Sequence, residues 1–282
     1  MELVEKQLFL NGLSINYAEA GNGSPIIFLH NGGGFWQSWE HQLKKFAKSH
    51  TVYGIDWPGF GKSDSPKDLL SLDLLTLILK EFIVCKNLEN VILIGNCIGG
   101  SAALNYSMIY KHKVSKLVIF NICPGDLIFP IKSLGKLIER SNNSQRLKSI
   151  LKFFLVFSFT KTPLKRQFPK ILFGKFTQRS NYLFQLYIEK FKSPIQTQSR
   201  VNLVFSVHTF NLLKILKNKG EIPPHLLVWG NQNRVTSLEK HGYYHHLILK
   251  SSEFKIIKNA GHLCMNERPD EVNTIISDYL SK

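Results

Sequence analysis

Residues 91–110 read VILIGNCIGGSAALNYSMIY. Four β-prone apolar residues, Val91 to Ile94, open the stretch, and an Ala/Leu/Met-rich segment of helical character closes it. Between them Gly95-Asn96-Cys97-Ile98-Gly99-Gly100 sets a single reactive side chain among glycines. A strand that turns sharply into a helix strains the backbone at its apex, and side chains at Gly95 and Gly99 would collide with the neighbouring strand and helix. This pattern reads as a nucleophile elbow. The apex is usually serine in G-x-S-x-G, and here it is Cys97. A cysteine is often no more than a small buried residue, but the glycine framing at elbow spacing favours a nucleophile.

The flanking chain has a strand–helix rhythm. Residues 3–20 form two loosely alternating runs around Asn11-Gly12, a hairpin signal. Ile26 to Leu29 fits a buried parallel strand and runs straight into His30-Asn31-Gly32-Gly33-Gly34. A glycine-rich turn there can aim several backbone N–H groups into one space, as an oxyanion requires. His30 is expected to be a hydrogen-bonded structural residue. A helix is expected over Trp36 to Lys48, a strand over Thr51 to Ile55, and then Asp56-Trp57-Pro58-Gly59-Phe60-Gly61-Lys62-Ser63. Gly61-Lys62-Ser63 is not a P-loop, because position 56 is Asp where the phosphate loop needs Gly. A helix follows over Ser71 to Cys85, then, beyond the elbow, a strand over Lys116 to Phe120 and a loop over Asn121 to Pro130 containing Asp126. Later come a strand over Leu226 to Trp229, the loop 230–235, a helix over Leu238 to Leu249, a strand over Phe254 to Ile257, the loop Asn259-Ala260-Gly261-His262, and a closing helix over Pro269 to Leu280. Parallel strands joined by helices imply an open α/β sheet.

Residues 131–220 break the rhythm. They show no strand alternation and hold 11 of the 20 phenylalanines, which fits amphipathic helices with Phe and Leu inside. They also hold 18 Lys/Arg against two acids, Glu139 and Glu189, while the rest of the chain holds 18 of each. The formal net charge of +16 therefore sits in one insertion. Either it is a solvated helical face or it steers an acidic partner. No nucleic-acid motif accompanies it, so nucleic acid is not expected. Cys85, Cys97, Cys123 and Cys264 lack C-x-x-C pairing and metal-ligand spacing, which suggests free thiols, no metal, and a reducing compartment, the cytoplasm. The acidic Met-Glu-Leu-Val-Glu-Lys start is unlike a secretory signal, and Gly and Asn interrupt the longest charge-free run, so no membrane span is expected.

Taken together, His30–Gly34 after one strand, Asp56–Ser63 after the next, the elbow at Cys97, the insertion, and the late Gly261-His262 resemble the α/β-hydrolase superfamily. The resemblance implies a mostly parallel central sheet flanked by helices, with residues 1–126 and 221–282 as core and 127–220 as a helical cap. It implies Cys97 as nucleophile, His262 as base and later acid, and an oxyanion hole from the N–H of Ile98 and of Gly32 or, in the other register, Gly33. It implies no cofactor.

The third catalytic position departs from the family: the loop from Gly230 carries Asn233 where Asp is usual, with Asp126 as the rival acid after the preceding strand. With a serine nucleophile an amide there costs about 10⁴-fold. A thiol is more forgiving. A neighbouring imidazolium can lower its pKa to roughly 3.5–7.5, so an ion pair can exist before substrate arrives and the third residue need only orient the ring. Cys97 and Asn233 are consistent with one another on that expectation. An acyl-cysteine is itself a thioester, so exchange with a thioester donor is nearly thermoneutral, and an ester or thioester of an apolar acyl group is the expected substrate. Coenzyme A, an acidic acyl carrier protein or an anionic membrane would suit the basic cap. Transfer of the acyl group to an amine or alcohol, or a non-catalytic receptor that keeps the pocket, are the alternatives.

Overall fold

The computed structural model describes residues 2–67, 69–125, 132–161, 170–175, 182–217, 221–250 and 253–282. Eight strands form one sheet: β1 (Val4–Leu10), β2 (Leu13–Ala20), β3 (Pro25–Leu29), β4 (Thr51–Ile55), β5 (Val91–Asn96), β6 (Val114–Phe120), β7 (His225–Gly230) and β8 (Glu253–Ile257). Their order is β1-β2-β4-β3-β5-β6-β7-β8. β1 pairs antiparallel with β2 through the Asn11-Gly12 turn, and β2 antiparallel with β4; every later pairing is parallel. The mostly parallel sheet flanked by helices is the architecture that the sequence implied.

Register decides where the chemistry can sit. Leu29 pairs with Gly95, Asn96 with Phe120, Phe120 with Val228, and Gly230 with Ile257. The carboxyl ends of β3, β5, β6, β7 and β8 therefore lie on one edge, and the turns after them face a common space. In open α/β sheets ligands bind there.

The elbow is built by close packing. Strand β5 is buried along its whole length, and the helix Ile98–Ile109 is buried from Ile98 through Met108. That helix can lie flat on the sheet because the glycines leave no side chain in the way. A Cβ at Gly99 would stand 2.4 Å from the Leu29 carbonyl oxygen, and one at Gly95 2.5 Å from the Gly100 nitrogen. Cys97 takes up the bend with φ 55° and ψ −114°, a conformation that costs a non-glycine residue on the order of 1–3 kcal/mol.

Two local expectations change in detail. Trp36 to Lys48 is a 3₁₀ turn, Trp36–Trp39, followed by the helix Glu40–Phe46. Leu238 to Leu249 begins as a π-helical turn, Leu238–Gly242, before the helix Tyr243–Ile248. Gly242 lies against the Trp229 ring, where an added Cβ would stand 3.1 Å from it. A further short helix, Cys264–Glu267, follows His262. The loop from Asp56 turns inward: its carboxylate accepts from Trp36 N–H (2.7 Å), Lys62 N–H (3.0 Å) and Asn16 Nδ2 (2.8 Å). Burial pushes that carboxyl up to about 6.

Between β6 and β7 the described residues form the helices Lys132–Ser141, Gln145–Lys161, Tyr182–Lys192, Pro194–Ser206 and Leu212–Leu216. Phe184, Tyr187 and Phe191 pack with Phe35 and Trp36 in the core on one side of the sheet. Ile138, Val201 and Phe205 form a small core of their own with Leu151 and Leu155. Tyr187 Oη donates to Asn31 Oδ1 (3.1 Å) and pairs with Ser38 Oγ (2.7 Å), tying the inserted helices to the glycine turn after β3. No described helix is long and apolar enough to cross a membrane.

Candidate active site

Cys97, Gly32, Ile98, Asn233 and His262 come from four different turns at the carboxyl edge of the sheet, where Gly32 and Ile98 lie at Cys97 and Asn233 lies at His262. Asp126 lies outside the described residues. Cys97 is buried, at 5% exposure. It pairs with the Cys123 thiol, and the backbone N–H groups of Ile98 and Gly32 bear on it as donors. Gly33 is placed differently: its φ is 84°, and an added Cβ would meet Arg200 at 3.3 Å and Phe191 at 3.7 Å.

The charge state differs from the ion pair that the sequence suggested. The hydrogen bond with Cys123 and burial together push the Cys97 thiol well up. Burial pushes the His262 imidazole down to about 3. Both shifts favour a neutral thiol and a neutral ring at physiological pH, and oppose a preformed thiolate–imidazolium pair.

Asn233 sets the ring's tautomer. Its Oδ1 accepts from the N–H groups of Val235 (2.9 Å) and Thr236 (3.0 Å), which can only donate. That fixes the amide orientation and turns Nδ2 towards three acceptors: Asn121 Oδ1 at 2.9 Å, Thr236 Oγ1 at 2.8 Å and His262 Nδ1 at 3.1 Å. Nδ1 of His262 is therefore an acceptor, and the ring proton sits on Nε2. A carboxylate at 233 would accept from the same two N–H groups and also from Nδ1–H, which would leave Nε2 free to take a proton.

Sequence reasoning missed two residues. Asn121, at the end of β6 with φ 45°, accepts from Gly230 N–H (3.2 Å) and Asn233 Nδ2, and donates to Asn96 Oδ1 and the His262 carbonyl (3.1 Å each). Asn96, Asn121 and Asn233 thereby join the ends of β5, β6 and β7 to the His262 turn. Their available signal was an Asn directly after each of two buried apolar runs. The second is Arg200, on the helix Pro194–Ser206. It is 6% exposed, and Nη2 donates to the Phe191 carbonyl (3.1 Å) and Thr197 Oγ1 (2.7 Å). Its Nε and Nη1 are buried with no hydrogen-bond partner among the described residues. The guanidinium lies 4.1 Å from the Phe191 ring centroid, and burial pushes it down to about 9, still a cation at neutral pH. Nothing in an Arg among many in a basic segment distinguished it.

His30 is fully buried; Nδ1 contacts the Asn31 carbonyl (2.7 Å) and Nε2 accepts from Trp57 N–H (2.9 Å). No cluster of three metal-binding side chains occurs among the described residues.

Comparison with known proteins agrees with this fold. Residues 24–269 match the family model described as the alpha/beta hydrolase fold. Epoxide hydrolase 4 of Mus musculus is 26% identical across 96% of this chain and 77% of its own length. The 2-hydroxy-6-oxononadienedioate/2-hydroxy-6-oxononatrienedioate hydrolase of Comamonas testosteroni is 24% identical across 96% and 93%. Among solved structures, a bromoperoxidase from Bacillus anthracis superposes with a TM-score of 0.77 at 21% identity, covering 99% of this chain and 100% of that one.

The buried histidines give a pH signature. Burial pushes His30, His245 and His262 each down to about 3 from 6.5, so below pH 6.5 the unfolded chain binds protons that the folded chain refuses. Stability is lost as pH falls through that window. Asp56, raised to about 6, acts in the opposite sense and cancels about one of the three. The unfolding free energy from urea titration is expected to fall from pH 7 to pH 5, with a net slope of up to about 2–3 kcal/mol per pH unit and a falling midpoint. A midpoint unchanged across that range would refute the neutral assignment.

Proposed function

The chain belongs to the α/β-hydrolase fold family, and its hydrolase relatives indicate an enzyme; we propose that it cleaves an activated acyl compound, a thioester or reactive ester, through an acyl-Cys97 intermediate. The observation that carries this reading is the elbow thiol with the Ile98 and Gly32 N–H groups at its sulfur. Attack on a carbonyl moves the developing negative charge to oxygen, and those two N–H groups are at hand to receive it. The acyl-cysteine is then open to water, or to an amine or alcohol that takes its place.

Cysteine also narrows the electrophile. A thiol that opened an epoxide would leave a thioether, a C–S bond that water does not cleave, so epoxide turnover does not transfer to Cys97 from the epoxide hydrolase relatives. Acyl chemistry does return the free thiol.

Deprotonation of the thiol is the slow element. For Nε2 to accept the proton, the Asn233 amide must turn over and give up two backbone hydrogen bonds. At about 1–1.5 kcal/mol each this is about 2–3 kcal/mol, or roughly a 30–200-fold loss in rate. Substrates with good leaving groups, thioesters above all, suit such a site. Asn233→Asp is therefore expected to raise kcat on an acyl thioester by about 10²-fold, and Asn233→Ala to lower it. The same amide polarity favours a second reading, a ligand receptor with silent chemistry. Absence of thioester turnover in both the native chain and Asn233→Asp would support the receptor and reject the enzyme.

Arg200 adds a hint of substrate charge. A guanidinium with two unpartnered nitrogens, buried beside the glycine turn, costs several kcal/mol unless an anion joins it. A substrate carrying a carboxylate would supply one, in keeping with the dienedioate in the name of the Comamonas testosteroni relative. Arg200→Met is expected to raise KM at least tenfold for a carboxylate-bearing thioester and to leave KM for p-nitrophenyl butyrate within about twofold. Equal losses on both substrates would assign Arg200 to packing alone.

A further inference from the structure

The helix Gln145–Lys161 is apolar on two faces. Leu151 and Leu155 point inward against Ile138, Val201 and Phe205. Ile150, Phe153, Phe154 and Phe157 repeat at i, i+3, i+4, i+7 on the other side, where they are 45%, 68%, 60% and 50% exposed. Leu137, on the neighbouring helix Lys132–Ser141, is also exposed, at 41%. A stripe of this spacing normally seeks a core, and it is unusual on a free surface.

The charge around it is mostly of one sign, since the neighbouring helix Lys132–Ser141 holds Lys132, Lys136 and Arg140 against one acid, Glu139. Lys136, Arg140 and Arg146 are exposed near the stripe, Lys148 and Lys152 lie half-buried along the same helix, and the helix carries no acid. Across residues 131–220, Lys and Arg outnumber acids by 18 to 2. Exposed phenylalanines rimmed by cations are the composition that lies in the plane of an anionic bilayer, rings in the acyl boundary and cations at the headgroups. An acidic protein groove could match the charge. However, it would have to bring its own apolar trough for three aromatic rings, whereas a lipid surface accepts them without shape matching.

We propose that this face of the inserted helices docks the protein on an anionic lipid surface. Docking uses Phe153, Phe154 and Ile150 as the inserted groups, with Lys136, Arg140 and Arg146 at the headgroups. It does not depend on the acyl chemistry assigned to Cys97. It would bring the inserted helices, and with them Arg200 and Leu203 over the glycine turn, to the membrane boundary.

The test is vesicle co-sedimentation of the full chain, with phosphatidylcholine vesicles against vesicles containing 30% phosphatidylglycerol. The chain is expected to bind the anionic vesicles at least tenfold more tightly, with the preference shrinking as salt rises. Phe153→Ser with Phe154→Ser, and separately Lys136→Glu with Arg146→Glu, are each expected to weaken binding tenfold or more, with unchanged far-ultraviolet circular dichroism. No binding to anionic vesicles, or binding unaffected by the phenylalanine pair, would overturn the proposal. Sedimentation velocity gives the remaining arm. Self-association in the absence of lipid that the phenylalanine pair abolishes would assign the stripe to a second copy of the chain and overturn lipid docking.

Discussion

The structure depends on one tight approach, that of the helix Ile98–Ile109 to the ends of β3 and β5. Gly99 lies so close to the Leu29 carbonyl, and Gly95 to Gly100, that no other residue fits, and Cys97 absorbs the bend in a left-handed backbone. Everything at the sheet edge follows. The strained apex aims the thiol at the turn after β3, brings the Ile98 and Gly32 N–H groups to the sulfur, and leaves Asn96 to tie β5 to the His262 turn. A fold that holds one residue in an unfavourable conformation spends stability on geometry, and such residues gather where geometry is functional.

The titratable groups Cys97 and His262 at this sheet edge are held neutral. Burial holds the imidazole unprotonated, and Cys123 and burial hold the thiol protonated. The Asn233 amide, fixed by two backbone donors, presents hydrogen where a carboxylate would present oxygen. Two N–H groups converging on one side-chain oxygen would also suit a carboxylate, so the loop after β7 keeps the shape of an acid site while carrying an amide. On the proposed reading the site adds to a carbonyl without the charge that speeds proton transfer. That combination points towards substrates whose leaving groups need little help.

The fold was legible because it rests on short-range signals: four-residue apolar runs, Asn11-Gly12, and glycines at elbow spacing. The positions of Cys97, His262 and Asn233 at strand ends were legible for the same reason. Their protonation was not. The expected ion pair assumed an ordinary thiol near an ordinary imidazole, whereas burial and the Cys123 partner, which are properties of packing, reverse both preferences. Asn121 and Arg200 were missed on similar grounds. One is a polar residue whose meaning lies in four contacts made across the sheet edge, and the other is one cation of 18 whose burial no spacing betrays. The outward phenylalanines were read as core, because periodicity reveals a stripe and not the side on which the protein puts it.

The central claim is that a carbonyl carbon becomes bonded to the Cys97 sulfur. Intact-mass spectrometry of the protein quenched in acid during turnover of an acyl thioester tests it directly. One acyl group is expected on the native chain, mapped to the peptide containing Cys97 and absent from Cys97→Ala. An unmodified native chain, or an adduct that persists in Cys97→Ala, would contradict it.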